Sequence, residues 1–257
     1  MGQVLVPYKG WVLAVVITLI LLEILWSWKR EKKVYNVKET FANLGIFVGF
    51  QASKFVLTGY QMAVLGLFYP FRIFTFSENG WVFLLTFVLV DFIYYWFHYF
   101  SHKVKFLWAF HLVHHSSPWM NLTTSYRLNW LGGLISPFFN IPLVLLGLPL
   151  NYIVLSFAFL LLYQFFCHTE AIGKLGIAEK LLDTPSNHRV HHGSNSAYID
   201  KNFGGVLIIW DRLFGTYEPE GEKVRYGITT GFVSHNPLVL VFHGFWDLLR
   251  GRMKYKG

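Results

Sequence analysis

The chain has 257 residues, of which 54% are hydrophobic, 19% aromatic and only 14% charged, whereas an average soluble domain has roughly 25% charged residues. A soluble domain could not bury this much apolar surface, so the composition predicts an integral membrane protein. The formal net charge of +8 could suggest a nucleic-acid partner, but the chain offers no soluble basic domain to bind one. Basic residues retained on the cytosolic side of the membrane explain the charge better.

The first two apolar segments predict membrane helices. The first runs from Trp11 to Trp28, is broken only by Glu23, and is followed by the basic residues Lys29, Arg30, Lys32 and Lys33. This run is too long for the apolar region of a signal peptide, and the basic residues follow it, so it is interpreted as a retained anchor. The second segment, 41–71, fits either one long tilted helix or a span followed by an interfacial segment.

Two further apolar segments precede histidines. The third segment begins at Trp81 and ends in the aromatic residues 94–97, which are typical of a membrane interface, so His98 is predicted where the helix leaves the lipid. The region 134–166 contains three prolines and Gly147 and predicts a helical hairpin whose arms enter and leave on one side. Its second arm delivers His168.

The predicted fold is all-α and polytopic, with about four to five membrane-embedded helices and a cytosolic helical cap that carries a histidine-rich dimetal site. Residues 1–80 are expected to form N-terminal membrane helices and a basic loop. Residues 81–257 are expected to form the catalytic domain. If the basic loop is cytosolic, two crossings return the chain to the cytosol at His98, and the hairpin keeps the later histidines there.

Eight of the eleven histidines fall into three clusters: His98 and His102; His111, His114 and His115; His188, His191 and His192. Successive residues of a helix turn by roughly 100°, so each cluster projects its imidazoles from one face. A structural zinc takes about four ligands, so eight imidazoles exceed the need of one ion. The clusters therefore predict a site for two metal ions.

Residue type alone does not name the metal, because all-nitrogen ligation suits zinc, copper, iron and nickel. A zinc site would leave half of the clusters unused, whereas a pair of irons uses them all and adds oxygen chemistry. A protein in lipid meets substrates with unactivated C–H bonds. Iron and O2 are the reagents for such a bond.

The motifs around the histidines follow the order HxxxH, HxxHH, HxxHH between membrane spans. Flanking residues extend the pattern: YYWFH at 94–98, HLVHHSS at 111–117, LYQF at 162–165, TPSNHRVHHG at 184–193 and LIIWDRLFGT at 207–216. Over residues 81–240 this resembles the fatty acid hydroxylase and sterol desaturase superfamily of membrane di-iron oxygenases. Within it, the closest resemblance is to the alkylglycerol monooxygenase branch.

The resemblance implies two iron ions, O2, a membrane lipid substrate and an external reductant, either a tetrahydropterin or an electron-transfer protein. It implies hydroxylation of a lipid C–H bond, with cleavage of alkylglycerol ethers as the specific reaction. It also makes His168, which stands beside Glu170, a ninth ligand or a residue close to the ligands. Where the alkylglycerol branch has a glutamate directly after HxxxH, this chain has Lys103, which favours another electron source.

Several residues outside the clusters are candidates to support the ligands: Asp91, Glu170, Asn187, Asp200 and Asp211. An acid within a span is a functional candidate, so Asp91 is expected to orient a histidine or to bond a neighbouring span. Asn187 is expected either to hold a metal-bound water or to cap the helix of the third cluster. His235 and His243 lack the cluster spacing and are expected not to bind metal.

Other functions fit parts of the pattern. The same chemistry could act on a sterol, a fatty acyl chain or a carotenoid, by hydroxylation or desaturation. A zinc-dependent membrane hydrolase and a metal transporter are alternatives of other classes, although a transporter would place polar residues in the middle of the membrane. The site is expected on the cytosolic face of a bacterial inner membrane or of the endoplasmic reticulum.

Overall fold

The structure, a computed structural model, describes the backbone of residues 2–254 and the side chains of residues 10–254. The described part is helical and contains no strand, which confirms the all-α prediction. Its α-helices are α1 Gly2–Lys29, α2 Val37–Phe68, α3 Gly80–Lys103, α4 Lys105–His115, α5 Ser136–Leu146, α6 Leu150–Cys167, α7 Pro185–His192, α8 Ile209–Phe214 and α9 Pro237–Leu249.

Four helical segments of the described chain are long and apolar enough to cross a membrane: Gly10–Lys29, Val37–Phe71, Gly80–Lys103 and Leu150–Cys167. The chain is therefore an integral membrane protein, as predicted. The ambiguous segment 41–71 forms one continuous helix, α2, which a 3-10 turn extends to Phe71. With 11 residues, α5 is only about 16 Å long, so it is the short arm of the hairpin.

Local sequence explains where these helices begin and end. Asn36 and Asn79 cap α2 and α3, since their side-chain oxygens accept hydrogen bonds from the Glu39 and Val82 amides. Gly147 ends α5 at a φ of +100°, and a side chain there would collide with the carbonyl of Phe74. The hairpin of α5 and α6 thus turns at a position that only glycine can occupy.

The two ends of the bundle carry different segments. At one end, the Asn121 side chain donates to the Val34 carbonyl at 2.7 Å, which joins the α1–α2 loop to the chain after α4. At the other end, the Ile73 backbone amide donates to the Leu145 carbonyl at 2.7 Å, and the Asn151 side-chain amide donates to the Glu78 carboxylate at 2.9 Å. The basic loop and the histidine clusters therefore lie at the end opposite the hairpin turn.

Two apolar clusters fix the helices that carry histidines. Between α2, α3, α5 and α6 the buried side chains include Leu65, Val90, Val144, Leu148 and Ile153. A second cluster joins α2, α4 and α9 through Ala42, Ile46, Val113, Leu240 and Val241. The helices α4 and α9 pack closely, because a Cβ at Gly244 would lie 2.7 Å from the Ala109 carbonyl oxygen. The division of the chain into two domains at residue 80 stays a prediction. Helix α2, which precedes residue 80, packs against α5 and α9, which follow it.

Candidate metal centre

Nine histidines from four segments converge at the end of the bundle that carries the basic loop. The structure places them in two groups whose potential ligand nitrogens lie within 4.8 Å of one another. The first group contains His98, His102, His111, His115 and His191, and the second contains His114, His168, His188 and His192. Each HxxHH motif therefore divides its histidines between the two groups, which the helical spacing alone did not reveal.

The Nε2 atoms within each group point at one another. In the first group, the Nε2 of His111 lies 3.0 Å from that of His98 and 3.1 Å from that of His115. In the second group, the Nε2 of His168 lies 3.3 Å from that of His114 and 3.1 Å from that of His188. Two nitrogens about 2.1 Å from one ion and at right angles to each other would be about 3.0 Å apart. The spacing fits a shared cation.

Hydrogen bonds at the opposite ring nitrogens determine the tautomers. The Nδ1 atoms of His98 and His168 lie 2.9 Å from the Phe203 carbonyl and 2.7 Å from the Gln164 carbonyl. A carbonyl only accepts, so each Nδ1 carries the proton and each Nε2 presents a lone pair. The same holds for His191, whose Nδ1 lies 3.0 Å from the Lys201 carbonyl. Lone pairs that face one another are the arrangement a metal ion requires.

Burial favours the neutral form of His114 and His168. Burial lowers the pKa of His114 and His168 well below the usual value, and the neighbouring His188 lowers both further. Metal ligation needs neutral imidazole, so burial prepares the site for an ion. The nine residues thus fit a pair of nitrogen-ligated metals in number and spacing.

Asp183 supports the second group and was missed from the sequence. Its Oδ2 lies 2.9 Å from the Nδ1 of His188, and both side chains are buried. Burial raises the pKa of Asp183, and the nearby Asp91 raises it further. A carboxylate on the distal nitrogen of a ligand histidine is a common feature of metal sites. The available signal was an acid five residues before His188, just ahead of the Thr184 cap.

Asp91 does not have the predicted role. Its carboxylate accepts from the backbone amides of Val206 and Leu207 and from the indole of Trp210, at 2.7–3.1 Å. Among the described residues it bonds neither a histidine nor a neighbouring span, because the loop after Phe203 folds back onto α3. The acid within the span therefore anchors the loop that supplies the carbonyl for His98.

Asp211 and Asn187 act on the same region. The Asp211 carboxylate accepts from the amides of Phe203 and Gly204 at 2.7 Å, so it fixes the loop from the other side. The cap of α7 is Thr184, whereas Asn187 donates to the carbonyls of Glu179 and Leu182. Asn187 is therefore not the cap of α7, contrary to one of the two expectations, because its side-chain amide donates to carbonyls of the preceding turn.

Asp200 lies at the edge of the first group. Its carboxylate is 2.5 Å from the Lys103 ammonium and 3.6 Å from the Nδ1 of His102. Burial alone would raise the pKa of Asp200, but His102 and Lys103 outweigh it and hold the value at about 2. Lys103 thus forms an ion pair with the loop beside the site. Glu170, by contrast, is half-buried and interacts with Tyr226.

The two remaining histidines lie elsewhere. His235 is 3.1 Å from Glu39, which is itself paired with the buried Arg127. His243 stacks on Phe232 with ring centres 3.7 Å apart. Neither belongs to one of the two histidine groups.

The membrane helices and the paired histidine groups define a class of protein, the integral membrane proteins with two histidine groups that could each hold a metal ion. The family model for fatty acid hydroxylase matches residues 83–216, which include all nine histidines. The chain belongs to the fatty acid hydroxylase family.

Several characterised proteins are similar to the chain. Alkylglycerol monooxygenase of Homo sapiens is 39% identical over 235 residues, which are 90% of this chain and 53% of the relative. The Xenopus tropicalis protein of the same name is 40% identical over 86% of this chain and 51% of its own length. The ornithine lipid hydroxylase OlsE of Rhizobium tropici is 28% identical over 78% of this chain. The chain spans about half the length of the alkylglycerol monooxygenases. No solved structure matches it.

Proposed function

We propose that the protein is a membrane-bound di-iron monooxygenase that hydroxylates a lipid C–H bond with O2. The observation that carries this proposal is the pair of buried histidine groups with lone pairs facing one another. All nine histidines are the proposed iron ligands. Two irons held by nitrogen ligands would supply O2 activation, and an external donor would supply the electrons. Family membership and the similar lipid hydroxylases support this assignment.

The overall reaction defines what the site must receive. One atom of O2 enters the C–H bond, and the other leaves as water with two electrons and two protons from the donor. The donor is a tetrahydropterin or an electron-transfer protein. Lys103, whose ammonium lies 2.5 Å from Asp200, stands where the alkylglycerol branch has a glutamate, so the electron-transfer protein is the alternative that this chain favours.

The protein's residues position the lipid and exclude water. An apolar groove of about 420 Å³ lies between α3 and α6 and is lined by side chains that include Phe83, Phe87, Phe159 and Phe166. This groove offers a bound lipid chain an apolar wall on the two helices that lead to His98 and His168. Holding one C–H bond near the histidines while keeping bulk water away is the contribution expected of the protein.

The proposed substrate is an alkylglycerol ether. Hydroxylation of the carbon next to the ether oxygen gives a hemiacetal, which breaks down to an aldehyde and glycerol. Similarity to two alkylglycerol monooxygenases over most of this chain favours it. The alternative, a hydroxylase or desaturase of sterols, acyl chains or carotenoids, keeps the same site. A hydrolase with a single zinc would not need two adjacent groups of histidines, and a metal transporter would place polar residues in the middle of the membrane.

Metal analysis and turnover test the proposal together. The purified chain is expected to bind about two irons and to consume O2 with an alkylglycerol and a reductant, releasing aldehyde. Tetrahydropterin and reduced electron-transfer proteins are compared as donors. A single zinc with no iron-dependent O2 consumption would exclude the oxygenase, whereas turnover of only sterols or acyl chains would move the substrate to the alternative.

A further inference from the structure

A polar pair lies directly on the membrane side of the two histidine groups. The Tyr94 hydroxyl donates to Oε1 of Gln164 at 2.7 Å, which connects α3 with α6. Tyr94 precedes His98 by four residues, and Gln164 precedes His168 by four. Each residue is thus one helical turn, about 6 Å, deeper in the membrane than a histidine of its own helix. The pair lies beneath both groups at once.

The Gln164 amide has unused hydrogen-bonding capacity. The side chain is only 7% exposed, and its Nε2 has no hydrogen-bond partner in the structure. A buried donor without a partner is costly, and native proteins leave few of them. Because Oε1 already accepts from Tyr94, the amide presents N–H groups to whatever lies beside it. An acceptor atom of a ligand would satisfy them.

The side chains around Tyr94 on the membrane side are mainly apolar. A small cavity of about 10 Å³ between α3, α5 and α6 contacts Tyr94 and is lined mainly by Val90, Ile93, Phe97, Phe139 and Phe157. Two polar side chains also line it, but Ser136 accepts from Gln61 and Asn140 donates to the Ser136 carbonyl. Gln164 does not line this cavity itself, but its amide lies behind Tyr94 and is a buried donor without a hydrogen-bond partner.

We infer that Gln164, held by Tyr94, is the residue that positions the substrate by donating a hydrogen bond to an oxygen of the lipid. The inference rests on the proposed function. An ether oxygen fits, since it accepts hydrogen bonds and donates none, as the free N–H groups require. Oxygen held one turn below His98 and His168 leaves the adjacent carbon next to the histidine groups. The pair thereby selects both the class of lipid and the carbon that reacts.

Binding measured without O2 tests the inference independently of turnover. The probes are a 1-O-alkylglycerol and an analogue in which a CH2 group replaces the ether oxygen. The purified chain in detergent is expected to bind the ether about 10- to 100-fold more tightly, because the analogue leaves the buried N–H unpaired. In Gln164→Met, which keeps the volume and removes the donor, the two affinities should become equal within about 3-fold.

Two further variants separate positioning from folding. Tyr94→Phe removes the hydroxyl that orients the amide, so its preference for the ether should fall between those of the wild type and Gln164→Met. Ser156→Ala is the matched control, because Ser156 is a second buried polar side chain on α6 without a hydrogen-bond partner, about 12 Å further along the helix. It should keep the full preference.

The inference and the proposed function fail in different ways. Equal affinities in the wild type, or an undiminished preference in Gln164→Met, would overturn the role of Gln164 even if the protein hydroxylates lipids. If the protein prefers the ether but binds no iron and consumes no O2, the role of Gln164 in binding would be supported and the oxygenase function would be excluded. With turnover, Gln164→Met should also release less aldehyde and form products hydroxylated at other carbons.

Discussion

At the scale of single residues, the histidines depend on groups that hold their distal nitrogens. His98 and His191 use the carbonyls of Phe203 and Lys201, which lie in one loop, and His188 uses Asp183. These partners fix the tautomers and aim the lone pairs before any metal binds. Eight of these nine histidines are visible in the sequence as clusters. Their partners are not, because a backbone carbonyl carries no sequence signal.

Asp183→Asn is expected to weaken the second histidine group selectively. The amide cannot orient and polarise His188 as the carboxylate does, and loss of such a partner typically costs 10- to 100-fold in metal affinity. The first group does not contact Asp183, so iron content should fall from about two to about one per chain at limiting iron. Titration of the purified protein with iron measures this content. Asp247→Asn, at the surface beside His243, is the control, and equal loss from both groups would contradict the prediction.

The ion pair between Arg189 and Glu220 should make stability pH-dependent. Arg189 donates to Glu220 at 2.7–3.0 Å and to the Thr169 and Ile172 carbonyls, so it joins α7 to the loop after α6. Burial alone would raise the pKa of Glu220, but Arg189 outweighs it and lowers the pKa. A lowered pKa means that the stabilisation is complete above the unfolded value of about 4.3 and is lost as pH falls through the folded value.

Glu220→Gln should therefore destabilise the protein by about 1–2 kcal/mol at pH 7. The difference in stability between Glu220→Gln and the wild type should shrink below about pH 4.3. Thermal unfolding in detergent from pH 7 to 4 measures both. Glu222→Gln, an exposed neighbour, serves as the control. A difference that stays constant across this range would show that the carboxylate's charge is not involved.

At the scale of elements, the sequence predicts the membrane helices but not the loop that completes the site. The apolar segments of α1, α2 and α3 and the hairpin with its prolines and Gly147 were predicted, whereas the caps of α2 and α3 were not. The loop 203–207 was not, although it places a carbonyl on His98 and takes both oxygens of Asp91. Its contacts span more than 100 residues of sequence, so no local pattern announces them. Asp91 was given the wrong partner for this reason.

Gly205 shows how closely that loop approaches the helices. A Cβ there would lie 2.8–2.9 Å from atoms of Asp91, Tyr94 and Leu160. Gly205→Ala must displace the loop or these side chains, at a cost of about 1–3 kcal/mol. The same displacement should pull the Phe203 carbonyl from His98 and lower iron binding to the first group.

Thermal unfolding and iron titration of Gly205→Ala test this prediction. Gly173→Ala is the matched control, since nothing lies within 4 Å of a Cβ at that position. It should unfold like the wild type and bind the same amount of iron. Wild-type stability and iron binding in Gly205→Ala would mean that the loop has room which the structure does not show.

At the scale of the whole molecule, the fold gathers every histidine group at one end of the membrane helices. The same end holds the basic loop after α1, through bonds such as that of Asn121 to Val34. Glu23, buried within α1, accepts from Leu122 and Thr169 and so attaches the first span to the chain around the histidines. Basic loops stay in the cytosol, so we propose that the histidine groups face it too.

Cysteine labelling tests this orientation, because the single native cysteine, Cys167, is buried. Lys32→Cys and Lys223→Cys place thiols in the basic loop and in the cap, and Ser77→Cys places one near the hairpin turn at the other end; all three positions are exposed. In intact cells or sealed vesicles with the cytosolic face inside, an impermeant maleimide should label only position 77. Positions 32 and 223 should react once the membrane is opened. Two crossings separate position 32 from the histidines, so labelling of positions 32 and 223 from opposite sides of the membrane would contradict the fold. Labelling of both positions from outside would show that the orientation is the reverse of the one proposed.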